Sequence, residues 1–130
     1  MSNIEDAVNS ILKTGNPNII LLHCNSSYPA PEEEMNLSAI ETLKNTFKMP
    51  VGLSDHTIDN TASIASTVLG VSAIEKHFTI DNDLPGRDNK FAILPDQLKE
   101  ISNFRDKFND MNKNHGLDLQ EVDGSKSTSK

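Results

Sequence analysis

Three times along this chain a short apolar run ends abruptly in polar residues and leads into a stretch of helical periodicity. That alternation narrows the fold more than any other feature. The first run is Asn18-Ile19-Ile20-Leu21-Leu22-His23-Cys24. Its four consecutive apolar residues suit a strand covered on both faces, as in a parallel sheet. Pro29 and Pro31 deny regular structure to the loop that follows. Leu37, Ile40, Leu43 and Phe47 then recur at three- and four-residue steps, predicting an amphipathic helix over residues 35–47. The second strand is expected at residues 51–54, after the Met49-Pro50 break. Asp59 or Asn60 caps the next helix, which carries Ala62, Ala65, Val68 and Leu69 and stops at Gly70. The third strand is expected over residues 71–78. Beyond a polar loop, Pro95 opens a last helix whose buried stripe is Leu98, Ile101, Phe104 and Phe108. Ile4, Ala7, Ile11 and Leu12 mark one more helix ahead of the first strand.

The order is therefore a helix, then strand and helix three times. Units joined this tightly require parallel strands. A three-stranded parallel sheet has two open edges, which favour pairing with something else. A complete (β/α)8 barrel takes about 250 residues, and this chain has 130. Two architectures remain: a small open α/β sandwich, or part of a larger barrel. The tail from Gly116 has no apolar stripe and is expected to be disordered over residues 116–130, leaving residues 1–115 as the folded unit.

Charge removes whole classes of partner. With 12 Lys and Arg against 19 Asp and Glu, the net charge is -7. That argues against a broad basic face for nucleic acid and against a polybasic patch for membrane. A single cysteine, Cys24, excludes an internal disulfide and fits a reducing compartment. The start MSNIEDAVNS lacks a basic segment followed by an apolar run, and the expectation is a cytoplasmic protein.

The chemistry collects at the polar ends of the strands. His23 ends the first, with Asn25 and Tyr28 beyond it; Ser54, Asp55 and His56 end the second; Glu75, Lys76 and His77 end the third; Arg87 and Asp88 follow on a loop. In parallel α/β folds these ends share one rim. Adjacent strands lie about 4.8 Å apart, so His56 and His77 at equal heights can share one divalent ion such as Mn²⁺, Fe²⁺ or Zn²⁺. Hydrogen-bonded rim histidines are the alternative. Alternation puts Ser54 on the His56 side of its strand and Glu75 on the His77 side, with Asp55 and Lys76 facing away. Glu75 could orient a histidine or accept a substrate hydroxyl, the alternative being a partly buried carboxylate paired within the sheet; Asp55 is expected to cap or pair nearby backbone, and Lys76 to form a salt bridge under the helices. Asp88 suits substrate hydroxyls and Arg87 an anion, with plain solvent exposure the alternative for both. His23 reads equally as a hydrogen-bonded residue, His115 carries no argument for function, and Cys24, with no base beside it, is expected to pack within its strand.

Taken together, Leu21-Leu22-His23-Cys24 with Tyr28-Pro29-Ala30-Pro31, Gly52-Leu53-Ser54-Asp55-His56-Thr57, Ile74-Glu75-Lys76-His77-Phe78-Thr79 and Pro85-Gly86-Arg87-Asp88 resemble the sialic acid synthase family. The similarity runs from about Ile4 to Phe108. It implies a partial TIM barrel, these segments being the last three βα units of a (β/α)8 fold. It also implies condensation of phosphoenolpyruvate with an N-acylated aminohexose such as N-acetylmannosamine, giving a nine-carbon 2-keto sugar acid and phosphate.

By that resemblance His56 and His77 are the protein ligands of a divalent metal, most often Mn²⁺. Glu75 supports the site, Ser54 meets the phosphoenolpyruvate phosphate, and Tyr28 and Asp88 contact the sugar. Ser26 stands where some members carry an asparagine that touches the sugar. Arg87 adds a positive charge to a loop that usually reads Gly-Pro-Asp-His. The glutamate and lysines that the family draws from its early strands lie outside this sequence. The expectation is a chain inactive alone that needs a complementary N-terminal half-barrel. A non-catalytic sugar- or metal-binding module, or one that self-associates as a homo-oligomer, is the competing reading.

Overall fold

The computed structural model describes residues 1–113. The expected disordered tail, residues 116–130, and His115 lie outside the described residues. Helix α1 (Ser2–Leu12) precedes strand β1 (Leu21–Cys24), helix α2 (Ala39–Phe47), strand β2 (Val51–Asp55), helix α3 (Thr61–Val68), strand β3 (Ile74–Lys76) and helix α4 (Pro95–Met111). The strands form one parallel sheet in the order β1-β2-β3. This is the α/β alternation that the sequence predicts.

One face of the sheet builds the core. Ile40 and Leu43 of α2, Val51 and Leu53 of β2, and Ala62 of α3 form a buried cluster with Ala30 and Met35. Each fully buried aliphatic side chain here is worth about 1.5–3 kcal/mol of burial. Lys44 of α2 reaches across to donate to the Leu69 and Gly70 carbonyls, 3.1 Å each, setting a positive charge on the C-terminus of α3. Gly70 takes φ +76, the left-handed turn that ends that helix. At its start, the Asp59 carboxylate accepts from the Thr61 N–H at 2.8 Å, so Asp59 supplies the cap and Asn60 does not.

On the other face Gly52 and Ser54 of β2 are buried but β1 is open, which corrects the expectation of a strand covered on both sides. Along β1, Leu21 and His23 are half-buried while Leu22 and Cys24 are exposed. Ile20, just before the strand, is 53% exposed. β1 is also shorter than the run that encodes it, because Leu21 is the first residue to find a partner, its N–H donating to the Pro50 carbonyl.

Other boundaries move for local reasons. A 3₁₀ turn at Glu32–Glu34 and a positive φ of 44 at Asn36 delay α2 until Ala39. β3 keeps formal pairing over three residues only, and Phe78 bridges instead to Ile93. In α4, Ile101 is the fully buried member of the expected stripe, Phe104 and Phe108 are half-covered, and Leu98 is exposed. In α1 the buried residue is Val8, whereas Ile11 and Leu12 are exposed.

Gly52 has a steric reason to be glycine. A Cβ there would stand 2.6 Å from both the Ala73 carbonyl oxygen and Leu22 Cδ2. Because one of those atoms is backbone, Gly52→Ala is expected to lower the unfolding free energy by about 1–3 kcal/mol in urea titration. An unchanged midpoint would mean that the strands part freely at this point.

Candidate functional site

The three strand ends meet on one rim because the pairing is parallel and nearly in step. Cys24 lies opposite Ser54, Ser54 opposite Glu75, and Asp55 opposite Lys76. One residue further, His56 and His77 leave the sheet side by side, with ring centroids 5.3 Å apart and planes at 60°. Tyr28, from the loop after β1, lays its ring 4.2 Å from that of His56 and 5.5 Å from that of His77. Three rings from three loops thus form one cluster.

His56 is held on several sides. Its Nδ1 lies 2.7 Å from the Asn25 carbonyl oxygen, and since a carbonyl only accepts, Nδ1 carries the hydrogen. In the neutral ring that leaves the Nε2 lone pair free for a ligand. The His56 carbonyl accepts from the Ala30 N–H at 2.9 Å. For His77, the carbonyl accepts from the Ile93 N–H at 2.8 Å, and Nδ1 stands 3.7 Å from an Asp88 carboxylate oxygen, beyond a direct hydrogen bond. Tyr28, His77, Arg87, Asp88 and Phe91 line a cleft of about 480 Å³. Phe91, which no motif or periodicity singled out, enters through a 3₁₀ turn at Asn89–Phe91.

The remaining residues divide by face. Ser54 is buried, and its Oγ donates to Glu75 Oε1 at 2.7 Å. Glu75 is exposed and, among the described residues, makes no hydrogen bond to His77, so it touches the serine rather than orienting the histidine. Ser26 is exposed on the loop after β1. Cys24 corrects an expectation: it is exposed rather than packed, with Sγ 3.9 Å from both His56 Nδ1 and Ser26 Oγ. His23 donates from Nε2 to the Met35 carbonyl at 2.7 Å, a structural bond on the helix side of the sheet.

Behind the rim, on the side where alternation puts Asp55 and Lys76, the two side chains form a buried ion pair; the sequence predicts a salt bridge for Lys76 but not this partner. Lys76 Nζ is 2.9 Å from Asp55 Oδ2, and the side chains are 4% and 0% exposed. Asp55 also accepts from Ser63 Oγ at 2.6 Å and from the Thr57 N–H and hydroxyl at 2.9 and 2.7 Å. Burial raises the Asp55 pKa, but the hydrogen bonds from Lys76, Ser63 and Thr57 outweigh it and hold the carboxyl below its usual value of 3.8.

The donor set suits a divalent ion in part. Two neighbouring imidazoles, one with its tautomer fixed, match Mn²⁺, Fe²⁺ or Zn²⁺. Among the described residues no cluster of three or more His, Cys, Asp or Glu is arranged so that it could hold an ion. An ion held by the two imidazoles would have to take its remaining ligands from water, substrate oxygens or residues beyond those described.

With this geometry in place, likeness to known proteins becomes informative. The sequence profile of the NeuB family matches residues 1–116, and the chain belongs to that family. It is 46% identical over 103 residues to the N,N'-diacetyllegionaminic acid synthase of Campylobacter jejuni, covering 78% of this chain and 31% of that protein. It is also 46% identical over 103 residues to the spore coat polysaccharide biosynthesis protein SpsE of Bacillus subtilis, with 78% and 28% covered. The crystal structure of the N-acetylneuraminic acid (sialic acid) synthetase of Leptospira borgpetersenii superposes with a TM-score of 0.82 at 37% identity, over 92% of this chain and 41% of that one. The chain therefore spans about a third of the length of the relatives it matches. Among the described residues no helix is long and apolar enough to cross a membrane.

The Asp55 environment sets an acid limit on stability. A depressed carboxylate pKa contributes stability that is complete above the unfolded value and is lost as pH falls through the folded value. Wild-type chain is expected to hold its urea midpoint down to about pH 4 and to lose stability below it. Asp55→Asn should start lower at neutral pH and lose less over the same acid range. Parallel pH profiles for the two proteins would contradict this.

Proposed function

We propose that residues 1–113 form the last three βα units of a (β/α)8 barrel. Polypeptide outside these residues, in the same chain or a separate one, supplies the rest. The completed barrel condenses phosphoenolpyruvate with an N-acylated aminohexose to a nine-carbon 2-keto sugar acid. Membership of the family supports this, and the observation that carries it is the His56–His77 pair at the strand-end rim, with Tyr28 against both rings. The open face of β1 supports the need for a complement. Leu22 and Ile20 are apolar and exposed there, and a completed barrel would cover them.

In the reaction, C3 of phosphoenolpyruvate forms a bond to the aldehyde carbon of the open-chain sugar. Water adds at C2, and the C–O bond to phosphate breaks, leaving the keto acid. His56 and His77 would hold a divalent ion, most suitably Mn²⁺, which when bound supplies Lewis-acid polarisation of the aldehyde carbonyl. Asp88 and Tyr28, on the cleft wall, accept and orient sugar hydroxyls. Arg87, on the same wall, offers a charged donor to an anionic or carbonyl oxygen. Ser26, exposed on the neighbouring loop, is available to the sugar. Ser54 has a single hydroxyl proton, and it is engaged by Glu75. Donation to a phosphate oxygen therefore exchanges one acceptor for the other, coupling Glu75 to substrate binding.

The test is phosphate release from phosphoenolpyruvate with Mn²⁺ and N-acetylmannosamine, or its diacetylated 2,4-diamino analogues, for the chain alone and with the complementary half-barrel supplied. Release is expected only in the second mixture. His56→Ala or His77→Ala should then reduce it at least about 100-fold, given the several kcal/mol that carbonyl polarisation contributes. No release with any of these sugars in either mixture, or full activity in both histidine variants, would overturn the proposal.

A further inference from the structure

The histidine pair is only as well placed as the backbone beneath it, and one buried cluster touches that backbone at every step. Asp55 immediately precedes His56, and Lys76 immediately precedes His77. Their side chains meet at 2.9 Å on the helix side of the sheet, opposite to the side on which the imidazoles emerge. Thr57, immediately after His56, is held from both directions. Its N–H and hydroxyl donate to Asp55 Oδ1 at 2.9 and 2.7 Å, and its carbonyl accepts from Lys76 Nζ at 2.7 Å. Ser63 of α3 closes the cluster on Asp55 Oδ2 at 2.6 Å.

These contacts exceed what strand pairing needs. Backbone pairing between β2 and β3 ends at Asp55 and Lys76, so His56 and His77 lie one residue past the ladder. Nothing in the ladder itself keeps them level. A cross-strand clamp at the last paired position, extended onto residue 57, does.

We propose that Asp55 and Lys76 are positioning residues: with Thr57 they form a clamp that fixes the relative height of His56 and His77 and so pre-forms the gap between the two imidazoles. A mispositioned ligand costs a metal site even when both ligands survive, and partners beyond the ligands typically change metal affinity by about 10–100-fold. The clamp acts through the backbone alone, since neither charged group reaches the rim.

A double variant, Asp55→Leu with Lys76→Met, isolates this role, because removing both charges leaves no buried ion unpaired. Two readouts apply to the chain from Met1 to Lys130: the nuclear Overhauser contact between the ring protons of His56 and His77 without metal, and Mn²⁺ affinity. The double variant should unfold cooperatively, lose the ring contact and bind Mn²⁺ at least about tenfold more weakly. Lys76→Arg, which keeps the charge pair, should retain both signals. Ile40→Val in the core, destabilising but remote from the rim, should retain them too.

A folded double variant with the wild-type ring contact and affinity overturns the clamp. Should the double variant fail to fold, Thr57→Val decides: weakened Mn²⁺ binding supports the clamp, and wild-type ring contact and affinity overturn it. The affinity readout rests on reading His56 and His77 as a metal pair, whereas the ring contact does not. A wild-type chain with no Mn²⁺ affinity therefore counts against that reading and leaves the clamp to the metal-free measurement.

Discussion

The buried contact between Asp55 and Lys76 is the constraint on which the rest of the site depends. Two charges almost fully removed from water carry a desolvation penalty, which mutual attraction offsets only when every remaining polar valence is filled. Here Ser63 and Thr57 fill those of Asp55, and the Thr57 carbonyl accepts a hydrogen bond from Lys76. Such a pair is weak evidence for stability as such, since apolar residues of similar volume can replace it at little cost. Its effect is one of register: it ties the ends of β2 and β3 together and anchors α3 on the same point. The aromatic and imidazole rings of the rim then stand on a rigid base.

The sheet shows its two faces in different states. Toward the helices it is packed by Ile40, Leu43, Val51 and Leu53, with a polar cluster at one end. Toward the other side it presents Leu22, Cys24 and Glu75 to solvent. A parallel sheet with one partly uncovered face is uncommon, because crossover helices normally leave both faces protected. The chain spans about a third of its relatives, and the solved structure it superposes on extends well beyond it. Closure of a barrel would turn that face into an interior and bring the rim of the remaining strands opposite His56 and His77.

Much of this was legible in the residues themselves. Two-residue alternation separated Asp55 and Lys76 from Ser54, His56, Glu75 and His77, and the structure keeps that division. The parallel order followed from the spacing of apolar runs and helical stripes. What could not be read depends on tertiary context. The positive φ at Asn36 shortened α2 without disturbing its apolar period. The run 19–22 resembles a doubly covered strand, yet Ile20 and Leu22 stand exposed, because apolar runs encode a preference for burial and not the partner that provides it. Cys24 reads as a strand packing residue with no base beside it, whereas its exposure and its approach to His56 depend on the folded path of the neighbouring strand. Tyr28 was identifiable as a loop residue near the rim, but its approach to both imidazoles needed the folded path of the loop.

The central claim is that His56 and His77 grip one divalent ion. Pulsed electron paramagnetic resonance of the Mn²⁺-loaded chain measures this directly through hyperfine coupling to ligand nitrogen. The account predicts coupling from two imidazole nitrogens, falling to one when either histidine is replaced by alanine. A spectrum with no nitrogen coupling, or one that both replacements leave unchanged, would contradict it.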